Sequence, residues 1–379
     1  MKIPSIITNE SLESLYDGLD TEEVNLPRTF KKLRLGLLPR ISQFFITLLK
    51  HHNDTSIKFF QLDVHDNEGI NDLLADPQAL TAILMAENVF GKSIDKEKME
   101  LKSRLNKSLQ ERLDKSIYKE GHRLQLFAVD HSARKYAYPS CFYLPEGTNS
   151  LKQSEFYSKL LERFINSCAK GSNLTTEEKD SLGELLFELI ENTDQHGKYD
   201  FTSAHSDRSV RGLIVDYKLI TGNQQSQTIG GENTVITEYL EGIRDENRTV
   251  HLLEISVFDS GPGIAESLKN SVPLDISNIN YEAQIISKSF SKGVTSKSSP
   301  IGYGRGLHNV RKVLSDRKGF VSIRTGRASL YRDFNKNDLN EKDVEQLSLF
   351  DEVNRTANKN YTELKAVEGL AYSILVPIK

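Results

Sequence analysis

The chain has 379 residues, of which 37% are hydrophobic and 27% charged, and its 53 acidic and 49 basic side chains leave a net charge of −4. That balance excludes a disordered or collagen-like chain, and it excludes a global positive field that would gather nucleic acid or an anionic membrane. Two cysteines, Cys141 and Cys168, build neither a disulfide framework nor a zinc site, and neither the polar start MKIPSIITNESLES nor the longest apolar stretch, Ile41 to Leu49, has the length or apolarity of a signal peptide or a membrane span. A soluble cytoplasmic protein is expected.

Two regions are expected, 1–150 and 151–379, with a soft boundary near residues 147–152 where the PEGTNS run supplies turn chemistry. In the first, Arg28 to His52 reads as helical, with Pro39 as a kink or break. SIKFFQLDV (56–64) reads as a strand, Pro77 to Phe90 as a helix ended by Gly91, 95–119 as a long charged helix and 122–144 as two strands. This is an α/β regulatory or scaffold region, and the strand followed by a helix near Asp76–Pro77 resembles a STAS-like unit.

In the second region, helices are expected at 151–168 and 175–196, and β-rich runs at 211–220 and 234–243. TVHLLEISVFD (249–259) is the strongest strand signal in the chain. A helix over 306–317 and strands over 319–326 and 370–378 follow. The polar stretch 333–363 reads as a surface insertion with little to bury.

Three stretches carry chemistry. In FELIENTDQHG (187–197), Glu188, Asn192 and His196 recur every four residues and so share one helix face. A carboxamide oxygen there can ligate Mg²⁺, and a carboxylate one turn away can orient a water. The same pattern would also serve an amphipathic helix with a solvated face. In LLEISVFDSGPGIAESL (252–268), a hydrophobic strand ends at Asp259, followed by Gly261 and Gly263. The carboxylate can accept from an exocyclic amine such as that of adenine, and the glycines let a flat ligand approach the backbone; an ordinary strand–turn–helix connection would favour the same residues. In SFSKGVTSKSSPIGYGRGLHNVRKVL (289–314), Gly302, Gly304 and Gly306 alternate directly before a helix, where backbone N–H groups make a phosphate site. From Lys288 to Lys318 there are eight Lys or Arg and one Asp, a basic stretch in an acidic chain. GKS at 91–93 is not a P-loop, since Ala86 stands where the first glycine would be.

The order and spacing of Glu188–Asn192, Asp259-x-Gly261-x-Gly263 and Gly302-x-Gly304-x-Gly306-Leu307 resemble the N, G1 and G2 boxes of the GHKL ATPase superfamily. That superfamily takes in type II topoisomerase ATPase subunits, ninety-kilodalton heat-shock chaperones, MutL proteins and sensor histidine kinases. Phe290 with Lys292 and Lys297 resembles the F-box and lid segment of its kinases, and Gly369 is a weak counterpart of the last glycine box. The resemblance covers about 150–379 and implies a Bergerat-type α/β sandwich, a mixed sheet under helices, that binds ATP and Mg²⁺. It further implies that Asn192 holds the metal, Glu188 orients the hydrolytic water and Asp259 reads the adenine amine. Gly261, Gly263, Gly302, Gly304, Gly306 and Leu307 would shape the pocket and lid, with Lys292, Lys297 and His196 beside the nucleotide. Gln195 stands where kinases often place a basic residue, and the long interval from Gly197 to Val250 predicts an extra hairpin.

The expected reaction is ATP hydrolysis that switches contacts with a protein partner; a homodimer stays open. A serine or histidine protein kinase, or a binding module without turnover, are the alternatives. For a histidine kinase the upstream candidates are His51, His52, His65, His122 and His131; His51 and His52 end a helical stretch without the acidic, arginine and proline neighbours of a phospho-acceptor box, and His122 and His131 fall in expected strands.

Overall fold

The computed structural model describes the chain apart from residues 32–33, 53, 93–97, 146–148, 169–173, 201, 203, 222–229, 231–232, 245–248, 269–277, 292–305, 340–346, 358 and 379. It is mixed α/β, with two sheets. In chain order, the first region contributes α1 (Asn9–Leu15), β1 (Glu23–Leu26), α2 (Leu37–His51), β2 (Ser56–Asp63), α3 (Asn67–Ala75), α4 (Pro77–Met85), β3 (Asn88–Lys92), β4 (Lys98–Glu100) and α5 (Lys102–Asp114). Strands β1, β2 and β3 pair in parallel and β4 adds antiparallel, giving a mixed four-stranded sheet. Pro39 does not break α2. It stands in the first turn, where a missing N–H costs nothing. The expected strand at 56–64 and the helix beginning at Pro77, capped by Asp76, are present, with α3 inserted between them. The run 95–119 is not one helix: β4, α5 and the start of the next strand divide it.

The second sheet has eight strands: β5 (Ile117–Glu120), β6 (Arg123–Val129), β7 (Val210–Ile220), β8 (Val250–Asp259), β9 (Phe320–Gly326), β10 (Ala328–Asp333), β11 (Phe350–Asp351) and β12 (Val367–Ile378). Their order is β11-β10-β9-β12-β8-β7-β6-β5. Every pairing is antiparallel, where a mixed sheet was expected. The hairpin β5–β6 comes from the N-terminal side of the expected boundary at 150, yet it completes this sheet through β7.

Both faces of the large sheet are covered. Side chains alternate along each strand, so Leu213, Val215 and Val257 join one core while Ile214 and Phe258 join another. Of the two strands expected over 122–144 only β6 forms among the described residues, followed by the short helix α6 (Arg134–Ala137). The first core is closed by α7 (Ser154–Cys168), α8 (Thr176–His196), a helix at Ile279–Ser289 and a helix at Gly306–Asp316. The second is closed by α2 and α4, which lie between the two sheets. Helix α2 is accordingly buried from Leu37 through Leu49.

Three expectations fail in this region. TVITEYLEGI (234–243) is a helix capped by Asn233, burying Val235, Ile236, Tyr239 and Leu240 on one face. Its β-branched residues suit a strand, but their spacing is helical. Among the described residues, the interval 197–250 holds β7 and this helix rather than an extra hairpin. The 333–363 stretch buries Phe334, Leu347, Leu349 and Tyr361, so it is a packed extension of the sheet edge. Among the described residues, no helix is long and apolar enough to cross a membrane.

Candidate functional site

Helix α8 begins with a capping box, in which Thr175 and Glu178 satisfy each other's backbone N–H groups, and packs Leu182, Leu185, Leu186, Leu189 and Ile190 into the core. Its remaining face carries Glu188, Asn192 and His196. The helix at 306–316 lies across that face. A Cβ on Gly306 would fall 2.8 Å from Glu188 Oε2 and 3.6 Å from both amide atoms of Asn192. The glycine stretch therefore ends on the helix face that bears the expected metal ligand and base, over 100 residues away in sequence.

Glu188 is 8% exposed. Burial raises its carboxyl pKa above the usual range. Asn309 opposes the shift by donating from Nδ2 to Glu188 Oε1 at 2.8 Å, while Glu191 and Glu184 reinforce it. Asn309 also donates to Glu184, at 3.0 Å. Asn192 is half-buried, and its Nδ2 is buried without a hydrogen-bond partner among the described residues. A buried amide donor left unsatisfied costs about 1–3 kcal/mol, and only an acceptor atom such as a phosphate oxygen, not a cation, would satisfy it. Among the described residues no group of three His, Cys, Asp or Glu could hold a metal. Asn192 nevertheless fits Mg²⁺, which usually takes one or two protein oxygens and completes its shell with water and substrate phosphates.

Asp259 ends β8 against the other end of α8. A Cβ on Gly197, the residue closing α8, would lie 2.6 Å from Asp259 Cβ, and one on Gly261 would lie 2.4 Å from the His196 carbonyl oxygen. Only glycines let the helix end and the turn approach this closely. Glu188 and Asn192 precede Gly197 by nine and five residues, so at 1.5 Å rise per residue they stand about 13 and 7 Å along the axis from Asp259's end. The C-terminal half of α8 thus has the Glu188–Asn192 pair on its surface and the Asp259 carboxylate packed at its last turn.

Asp259 is fully buried, and its carboxyl pKa is raised to about 7 by loss of hydration. The Gly261 N–H, which donates to Asp259 Oδ1 at 2.9 Å, lowers it, as do the charges of Arg211 and Lys50; Asp130 raises it further. The turn is braced on two sides. Gly369 donates from its backbone to the Gly261 carbonyl at 2.7 Å, and Thr325 Oγ1 accepts from Ile264 N at 3.2 Å. Gly263 has φ +83°, a left-handed conformation that suits glycine. Gly369 has φ +70°, and a Cβ there would meet the Asp259 carbonyl oxygen at 1.9 Å, so the glycine near the start of the closing strand packs directly on the turn after Asp259. A cavity of about 600 Å³ lies behind Gly263, lined in part by Thr47, His51, Glu282, Thr325 and Val367.

Of the expected residues, Glu188, Asn192 and Gly306 meet directly, and His196, Asp259, Gly261 and Gly263 cluster at the far end of α8. His196 contributes its backbone carbonyl to that packing. Leu307 packs at the margin of the core and Phe290 is fully buried. Lys292, Lys297, Gly302 and Gly304 lie outside the described residues. Sequence reading missed Asn309, although it stands one helical turn after Gly306. It also missed the buried cluster behind Asp259. There Arg211 donates to both oxygens of Asp130 and to Asp194 Oδ1 at 3.3 Å, and Tyr143 donates to Asp194. These partners are 51 to 81 residues apart in pairs such as Tyr143–Asp194 and Asp130–Arg211, and no spacing rule connects them.

No family model matches the chain, and comparison with curated proteins and with solved structures found no match.

Proposed function

We propose that the chain is a Mg-dependent ATP-binding protein of the GHKL type, that its antiparallel sheet with α8 and the 306–316 helix forms a Bergerat-type sandwich, and that it hydrolyses ATP to switch contacts with a protein partner. The observation that carries this reading is the approach of Gly306 to Glu188 and Asn192 in the C-terminal half of α8, with Asp259 buried against the residue that closes the same helix. Motifs that are individually common converge on one helix face in the order base end, metal end.

Asp259 accepts the adenine amine at the bottom of the site, and its neighbouring glycines let the helix end, the turn and β12 close tightly around that carboxylate. Asn192 offers its carboxamide oxygen to Mg²⁺, which when bound offsets the negative charge of the phosphates. Glu188 orients the attacking water. A raised pKa makes a carboxylate a better proton acceptor near neutrality, and the Asn309 hydrogen bond fixes which oxygen stays free. The helix N-terminus at Gly306 supplies N–H groups toward phosphate. Incubation with γ-labelled ATP tests the reading. Label released as free phosphate, dependent on Mg²⁺ and on Glu188, is expected; label transferred to a protein would instead identify a kinase, and label left on ATP a binding module.

A further inference from the structure

We propose that Lys50, at the end of α2, is a positioning residue for the nucleotide site, setting the turn after Asp259 from outside the nucleotide-binding half. This rests on the reading of that half as an ATP site.

Helix α2 is apolar on most sides but carries Arg40, Gln43, Thr47 and Lys50 at spacings of three and four, one stripe on its surface. Each member of the stripe bonds to the large sheet or its turns. Arg40 donates to Ser322 Oγ at 2.7 Å, Ser329 Oγ at 3.0 Å and Glu352, and Gln43 Nε2 donates to the Arg324 carbonyl at 2.9 Å. Thr47 Oγ1 accepts from Glu368 N at 3.0 Å. Lys50 Nζ donates to the Ser260 carbonyl at 2.7 Å and lies 3.2 Å from Glu368 Oε2.

The Ser260 carbonyl and the Gly261 N–H belong to one planar peptide unit, pointing in opposite directions. Lys50 grips one end of that unit and Asp259 Oδ1 accepts from the other. Holding the carbonyl therefore fixes the N–H that orients the buried carboxylate. Glu368, the second partner of Lys50, directly precedes Gly369, whose N–H braces the Gly261 carbonyl. A shift of α2 relative to the sheet would rotate this peptide and disturb the acceptor for adenine. The charged groups around Asp259 are Arg211 from β7, Asp130 after β6 and Lys50 from α2, with the Tyr372 hydroxyl of β12 also facing it; Asp200 faces Lys50.

The test is Mg-ATP titration calorimetry on the full chain across pH 5.5–9, comparing wild type with Lys50→Met, Lys50→Arg and Asp259→Asn. Removing a charged donor should weaken ATP by about tenfold, and losing a cation near Asp259 should move the pH below which affinity falls upward. Lys50→Arg should restore both. If Lys50→Met does not fold, Lys50→Gln, which keeps a donor without the charge, should show the upward move with a smaller loss of affinity. Wild-type affinity and an unmoved pH profile in Lys50→Met would overturn the proposal, as would equal losses in the Met and Arg variants. A wild-type chain that binds no ATP brings down the functional reading and this proposal with it; a wild type that binds, with loss in Asp259→Asn but none in Lys50→Met, overturns this proposal alone.

Discussion

Helices α2 and α8 pack against opposite faces of the same sheet and use polar residues in different ways. On α8, Glu188 and Asn192 face the turn at Gly306, one with a raised pKa and the other with a buried amide group unsatisfied. On α2, Arg40, Gln43 and Thr47 are buried more deeply but bonded across to the sheet. Each of these α2 side chains makes at least one hydrogen bond to the sheet, although Gln43 Oε1, like Asn192 Nδ2, is buried without a partner among the described residues.

The largest effect expected on the α8 side is loss of catalysis. Glu188→Ala should lower ATP turnover by about 10²–10⁴-fold while ATP affinity stays near wild type, since Asp259 and Asn192 are untouched. Steady-state phosphate release and equilibrium binding check the two halves of this statement. Joint loss of binding and turnover would make Glu188 structural and erase its distinction from the α2 residues.

On the α2 side the largest effect should fall on stability. Arg40→Ala leaves Glu352 buried without its cation, and breaking such a pair costs about 3–5 kcal/mol, to be read from urea denaturation. Glu352 is held below the usual carboxylate range chiefly by Arg40, against the opposing cost of burial. Its share of stability is therefore present above the ordinary carboxylate pKa and lost as pH falls through the depressed value. Arg40→Ala should flatten that acid limb, and an unchanged limb would deny the pair its role.

Asn192→Ala should abolish the Mg²⁺ dependence of ATP binding because it removes the carboxamide oxygen, with little change in folding because the amide nitrogen lost with it makes no hydrogen bond among the described residues. A folded variant with wild-type Mg-ATP affinity would show that the metal is held elsewhere.

The smallest of these effects belongs to Asp259. Asp259→Asn should weaken ATP by about tenfold, the value of a hydrogen bond to a charged acceptor, and blunt the preference over GTP. In the wild type, ATP affinity should fall as pH drops through about 7, where the carboxylate takes up a proton. Stability should run the opposite way. The unfolded chain loses this proton near pH 4 and the folded one near 7, so the folded state binds more protons between those values and this contribution declines as pH rises across that window. The Asn variant should lack both slopes. Persistence of the affinity slope in Asp259→Asn would place the titrating group elsewhere.

Much of this protein was legible along the chain wherever the information is local. The i, i+4 series Glu188, Asn192, His196 fixed a shared face, the apolar run 250–259 marked a central strand, and the glycines at 261 and 263 marked the turn after it. Local information failed where β-branched composition and helical spacing disagreed, as at 234–243, and where the charged run 95–119 concealed two short strands. What only the tertiary structure decided is which distant residues meet. The antiparallel sheet recruits β5–β6 across the expected boundary, lays Gly306 over Glu188 and Asn192, and brings Lys50 to the peptide after Asp259. Such pairings depend on strand register and helix packing, which bring together residues some 80 to 210 positions apart, and no periodicity in the sequence records a contact made at that distance.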